Sequence, residues 1–251
     1  MKKLILASVA LSCVMVASGT IVYSNNFDSA TVGDSLNDMG WTGNGSSAAY
    51  VTNSTEFGSG NKLVTLVNDD GGAFRYNDLD ISSAGADFVR LSFDMFFPSD
   101  YTSDAYVRVS AKGDVADANN GNVNWLDMGY GSRDVSIGSD IAVNTAYHFD
   151  VIMNISGSSV TWNGDDVADE QYDIWMNGSI LHDDLALDRG DADVATQFNS
   201  IGFWVARGED AVHADVLVDN IVVESIPEPA TLGIIMSSAV GILFIRRRFM
   251  M

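Results

Sequence analysis

The chain contains a single cysteine, Cys13, and it lies in the apolar stretch that opens the sequence. Beyond it there is no disulfide, no thiol nucleophile and no cysteine metal site. Proline is almost absent: there are three, and two of them, Pro227 and Pro229, fall near the C-terminus. Turns must therefore be made by glycine and asparagine. The histidines are His148, His182 and His213, and no two of them stand at the spacings of common metal motifs. Basic side chains are scarce, 13 against 34 acidic ones. Lys2, Lys3, Arg246, Arg247, Arg248 and Glu228 belong to the two ends, so the stretch between holds 8 basic and 33 acidic residues, a net charge near −25. A surface of that sign repels nucleic acid and anionic lipid, and it suits divalent cations or a salty medium. No stretch between the ends sustains a helical, 3.6-residue apolar period.

What is present is strand patterning. In residues 88–97, Val89, Leu91, Phe93, Met95 and Phe97 share one face, and Arg90, Ser92 and Asp94 the other. Residues 147–155 repeat this, with Tyr147, Phe149, Val151, Met153 and Ile155 inward and His148, Asp150 and Asn154 outward. Further strands are expected at 21–27, 62–68, 106–111, 125–130, 171–176, 201–206 and 215–224. Clusters of Gly, Asn, Asp and Ser separate them, and Asn177-Gly178 is a strong type I′ hairpin signal. Residues 183–193 read as a loop or a single turn. A hydrophobic content of 47 % excludes an unfolded acidic chain. The expected fold is all-β, a two-sheet antiparallel sandwich over residues 20–225.

The two ends carry targeting chemistry. Lys2 and Lys3, an apolar run over 4–16 and the small residues Ala17, Ser18 and Gly19 form a secretory signal peptide, residues 1–19, for the Sec translocon and signal peptidase. Residues 226–251 hold Pro227-Glu228-Pro229, an uncharged apolar run over 230–245 and Arg246-Arg247-Arg248. As a helix that run reaches roughly 24 Å, short of a bilayer core of about 30 Å, and the arginines would stay on the cytoplasmic side. This layout resembles the PEP-CTERM sorting signal of Gram-negative bacteria. The resemblance implies export across the inner membrane, a C-terminal transmembrane helix, and recognition and removal of the tail by an exosortase-type membrane protease. The protein would then reside at the cell surface or in the extracellular matrix.

Three stretches resemble the concanavalin A-like, or laminin-G-like, jelly roll. They are the opening strand 23–27 with Asp28 and the later Gly40-Trp41, the run from Tyr172 to Gly178, and the closing strand 216–223. That resemblance implies either polysaccharide binding or cleavage, or inert scaffolding. Retaining glycosidases on the fold use glutamates in the pattern Glu-x-Asp-x-x-Glu, with carboxyls about 5–5.5 Å apart. Here Glu56, Glu170, Glu209 and Glu224 are isolated in sequence, and no Gly-x-Ser-x-Gly elbow occurs. The expectation is therefore a non-catalytic structural or exopolysaccharide-binding module, the alternative being a polysaccharide-active glycosidase or lyase. Trp175 and Trp204 alternate out of phase with their aliphatic neighbours and are candidates for stacking on sugar rings, against burial in a central strand. Asp188, Asp191 and Asp193, and the run Asn163-Gly164-Asp165-Asp166, are candidates for a structural Ca²⁺, a hard cation that takes oxygen ligands.

Overall fold

The computed structural model describes residues 19–43, 49–58, 60–67, 75–101, 106–112, 122–187, 197–206 and 215–226. Residues 1–18 of the expected signal peptide 1–19, the tail from Pro227 with Arg246, Arg247 and Arg248, and the candidate ligands Asp188, Asp191 and Asp193 lie outside them. Among the described residues the regular secondary structure is all strand, apart from two short 3-10 turns. The strands are β1 (Thr20–Asn25), β2 (Trp41–Gly43), β3 (Ala49–Ser54), β4 (Asn61–Leu66), β5 (Arg75–Asp80), β6 (Phe88–Phe96), β7 (Tyr106–Lys112) and β8 (Asn122–Gly129). They continue as β9 (Val135–Ser136), β10 (Ala146–Asn154), β11 (Val160–Trp162), β12 (Asp165–Val167), β13 (Gln171–Met176), β14 (Ser179–Ala186), β15 (Ser200–Ala206) and β16 (Val216–Ser225). No described helix is long and apolar enough to cross a membrane.

Two sheets face each other. The larger runs β14-β13-β10-β6-β16-β4-β3, with β1 also paired to β16. The smaller runs β2-β5-β15-β7-β8-β9, antiparallel except for the short β8–β9 pair. Period-2 alternation decides which side chains meet. Val89, Leu91, Phe93, Met95 and Phe97 from the β6 segment, and Phe149, Val151 and Met153 from β10, enter one core with Ile201, Phe203 and Val205 of β15. Phe93 is its pivot, stacked on Phe149 with ring centroids 5.5 Å apart and set edge-on to Phe203 of the opposite sheet at 5.3 Å.

The hairpin expected at Asn177-Gly178 joins β13 to β14, both residues at positive φ as a type I′ turn requires. Its second strand runs on to Ala186, so residues 183–186 are strand and not the expected loop. Asn163-Gly164, also at positive φ, closes the smaller hairpin β11–β12. That hairpin packs Val160 and Val167 on Phe88, Ile152 and Ile226, a second apolar cluster on the outer face of the larger sheet. Asn154 fixes its root: the wholly buried amide donates to the carbonyls of Ser158 and Val167 and accepts from the Ser156 amide. Part of an outer sheet face is thereby covered, and the remainder carries the polar side chains described next.

Candidate functional site

Residues that alternate away from the core on β6, β10, β13 and β16 line up across the outer face of the larger sheet. The ladder sets Glu224, Arg90, Ile152 and Asp173 in one row, and Val222, Ser92, Asp150 and Trp175 in the next. The third row holds Asp219, Asp94 and His148. Cross-strand neighbours on one face lie within side-chain reach, so these rows become pairs. Arg90 Nε donates to Asp150 Oδ1 at 2.8 Å and its Nη1 to Glu224 Oε2 at 3.0 Å, and its guanidinium lies 5.4 Å from the centre of the Trp162 ring. Glu224 is half-buried and held by this arginine. A planar donor fork between two carboxylates fixes all three side chains.

Beside it, His148 Nδ1 lies 2.6 Å from Asp94 Oδ1, and its Nε2 lies 3.3 Å from Ser92 Oγ and 3.6 Å from Asp150 Oδ2. Asn220 donates to the other Asp94 oxygen from a bulge in β16, where Asn220 itself adopts positive φ. Next to it Asp219 is wholly buried; burial raises its pKa, opposed by the Asn220 amide and the Asn61 side chain. The connected strip thus runs Asn220–Asp94–His148–Asp150–Arg90–Glu224. It is preorganised, because each member is held by a neighbour.

Trp162 and Trp175 border the strip. Both are half-buried and pack on the second apolar cluster. Trp175 is the direct partner of Asp150 across the ladder, and its indole nitrogen has no hydrogen-bond partner. Trp204 has a different place. It alternates out of phase with the core residues of β15, as its sequence neighbours suggest, yet it is only 3 % exposed and its Nε1 lies 3.4 Å from Asp78 Oδ1. Its ring offers no open face. The outer face of a central strand is covered here too.

A second polar group lies at the edge of the same sheet. Asp165, Asp173 and Asp183 bring one carboxylate oxygen each to within 4.8 Å of one another. A bulge makes this possible: between Leu185 and His182, the residues Asp183 and Asp184 together oppose Asp173 alone. The Asp184 amide, at positive φ, turns to donate to Asp173 Oδ1 at 3.0 Å. Asp173 is wholly buried, and its other oxygen, Oδ2, has no hydrogen-bond partner among the described residues. Desolvation, with Asp183, Asp165 and Asp184 close by, raises its pKa to about 6. The Asp183 carboxyl is raised as well, by desolvation and by the neighbouring Asp165 and Asp184.

The shift of Asp173 makes a pH prediction. Its folded pKa stands above the ordinary 3.8, so the folded state holds the extra proton between the two values and stability falls as pH rises through that window. The penalty is full above about pH 6 and amounts to ~1–3 kcal/mol. In EDTA, Asp173→Asn is therefore expected to unfold at higher urea than the parent at pH 8, with the difference vanishing near pH 4. Equal midpoints at pH 8 would show that the buried carboxylate carries no such penalty.

The sequence placed Arg90, Ser92, Asp94, His148 and Asp150 on the outward face but contained no sign of which would pair, since pairing depends on strand order. Asp165 was a candidate ligand, whereas Asp173 and Asp183 were not.

No protein-family model matches the chain, and no curated protein matches it in sequence. Solved structures match it in shape. A structure from prominent members of the human gut microbiota, described as expressing endo-acting O-glycanases that initiate mucin breakdown, superposes with a TM-score of 0.51 at 10 % identity, over 83 % of this chain and 100 % of that one. Cellulose induced protein Cip1 gives 0.50 at 12 % identity, over 81 % of this chain and 97 % of the other. These likenesses show a shared β-sandwich fold. A Trypanosoma rangeli sialidase mutant with trans-sialidase activity matches at 13 % identity and a TM-score of 0.37, and the chain spans only 28 % of its length.

Proposed function

We propose that the chain is an exported, non-catalytic module that binds a neutral polysaccharide on the outer face of its larger sheet. The observation that carries this reading is the pairing of two half-buried tryptophans with a fixed polar strip. A pyranose ring presents C–H faces to aromatic rings and hydroxyls to charged donors and acceptors, and this face supplies both. Neutral glycans suit the surface best, because a net charge near −25 repels polyuronates and sulfated chains. The shared fold with a Cip1 structure and one linked to mucin O-glycanases agrees with a role on carbohydrate. The sorting tail resemblance supplies the setting, a cell surface or matrix reached through an exosortase.

Calorimetry against soluble neutral glucans, mannans and galactans tests the reading. Trp162→Ala is expected to weaken binding at least about tenfold, or roughly 1.4 kcal/mol. Trp204→Phe, on the other sheet, should leave it unchanged. Equal affinity for the parent and Trp162→Ala, or binding only to polyanions, would sink the proposal.

One observation favours a hydrolytic reading: Ser92, His148 and Asp94 stand in the order of a nucleophile, base and orienting acid. Ser92, however, is 3 % exposed, which leaves its hydroxyl beneath the histidine and out of reach of a substrate carbonyl. Asp150 and Glu224 flank Arg90 on the face, and its guanidinium occupies the space between them that a glycosidic oxygen would need. Turnover of a glycan or an ester that is lost on His148→Ala would reverse the assignment.

A further inference from the structure

We infer that Asp165, Asp173 and Asp183 form a binding site for one hard divalent cation, Ca²⁺ in preference to Mg²⁺, which pins the β11–β12 hairpin to the sheet edge. Three carboxylate oxygens within 4.8 Å of one another define the group. The independent observation is Asp173 itself: a wholly buried carboxylate with Oδ1 held by the Asp184 amide and Oδ2 left without a hydrogen-bond partner. Buried polar atoms are nearly always satisfied, and an exception points to a missing ligand. No described lysine or arginine forms an ion pair with any of the three acids.

The size of the group selects the ion. Ca²⁺ holds its oxygens at about 2.3–2.6 Å, so two ligands on opposite sides of it lie up to roughly 5 Å apart, whereas Mg²⁺ at about 2.0–2.1 Å needs a tighter set. The all-oxygen donors disfavour zinc and copper. Topology gives the site its consequence. Asp165 sits on the hairpin directly opposite Trp162, while Asp173 and Asp183 sit on β13 and the bulged β14. A cation bound by all three ties the hairpin to β13 and β14, beside the small cluster around Val160 and Val167 that packs it on the sheet. It also offsets the mutual repulsion of acids that the bulge has brought together.

The test uses the purified protein, stripped with EDTA and held in 0.15 M NaCl to screen diffuse charge. Tb³⁺ is added and its luminescence excited through tryptophan. Saturable emission at one equivalent is expected, with Trp162, across the ladder from Asp165, as a main donor. Ca²⁺ should displace the signal at concentrations at least tenfold below those at which Mg²⁺ does. Asp183→Asn, at an exposed position that folding does not need, should weaken the Ca²⁺ displacement at least tenfold, and Asp165→Asn likewise. Asp166→Asn, one residue away on the exposed side of the hairpin, should leave it unchanged. Trp162→Phe should dim the emission without moving the Ca²⁺ midpoint. An absent saturable phase, an Asp183→Asn protein that binds like the parent, or an equal loss in Asp166→Asn would overturn the site. Glycan calorimetry run in EDTA keeps this outcome separate from that of the binding face.

Discussion

Phe93→Ala is expected to lower the free energy of unfolding by about 3–5 kcal/mol, the range for truncating a fully buried phenylalanine. Phe93 has no exposed surface, and it joins three strands in two sheets. Its stack on Phe149 holds β6 against β10, and its edge contact with Phe203 holds the larger sheet against β15 of the smaller. Each ring pair contributes about 0.5–1.5 kcal/mol beyond area burial. Removing the ring also leaves a cavity bounded by two long, fully paired strands that have little room to collapse. For a domain of this size the loss corresponds to a drop in Tm of roughly 10 °C. Phe57→Ala is the comparison. Phe57 is only half-buried and meets Phe96 at 6.5 Å on the outside of the sheet, so its truncation should cost less than half as much. Urea denaturation measures both. A cost below about 1 kcal/mol for Phe93→Ala would mean that the two sheets do not pack through this stack.

That contact was half legible in the sequence. The alternation over 88–97 and 147–155 put Val89, Leu91, Phe93, Met95, Phe149, Val151 and Met153 on the core face and Arg90, Ser92, Asp94, His148 and Asp150 on the other, because a period of two leaves no freedom once one face is apolar. The hairpin at Asn177-Gly178 was legible for an equally local reason, since few residue pairs accept two successive positive φ angles. What alternation could not supply was strand order. β6 lies between β10 and β16, both of which follow it in sequence at long separations, so Arg90 meets Asp150 and Glu224 across 60 and 134 residues. No local pattern encodes that meeting. The strands β2, β9, β11 and β12 were missed because two or three residues give no period to read, and the six-residue strands β3 and β5 were missed as well. The bulge at Asp183-Asp184 was missed because a bulge is a break in period, and in sequence it looks like the end of a strand. Both candidate sites depend on such breaks. The bulge in β16 turns Asn220 onto Asp94, and the bulge in β14 brings Asp183 beside Asp173.

Deleting Arg246, Arg247 and Arg248 is expected to block C-terminal processing of the protein in its native host, an all-or-none effect. The sorting proposal rests on a run of chemistry at one end of the sequence. The apolar stretch over 230–245 is a few residues shorter than a comfortable span, so its position in a bilayer depends on what anchors each side. Three arginines hold one side at the cytoplasmic surface. Pro227 and Pro229 cannot continue a helix beyond the other side, because proline lacks the amide donor and clashes with the preceding turn. On this proposal Pro-Glu-Pro would stand at a fixed height outside the membrane, two residues beyond the end of β16 at Ser225. β16 lies between β6 and the pair β1 and β4 in the larger sheet, so on this proposal the segment after Ile226 is where cleavage is expected. A plain membrane anchor explains the apolar run and the arginines but gives Pro-Glu-Pro no role. Mass spectrometry of protein from the native host should therefore find the C-terminus at or near Pro227–Pro229. The arginine deletion, or a host without an exosortase, should leave the tail intact and the protein in the inner membrane. Surface-exposed or released protein that still ends in Met251 would end the proposal.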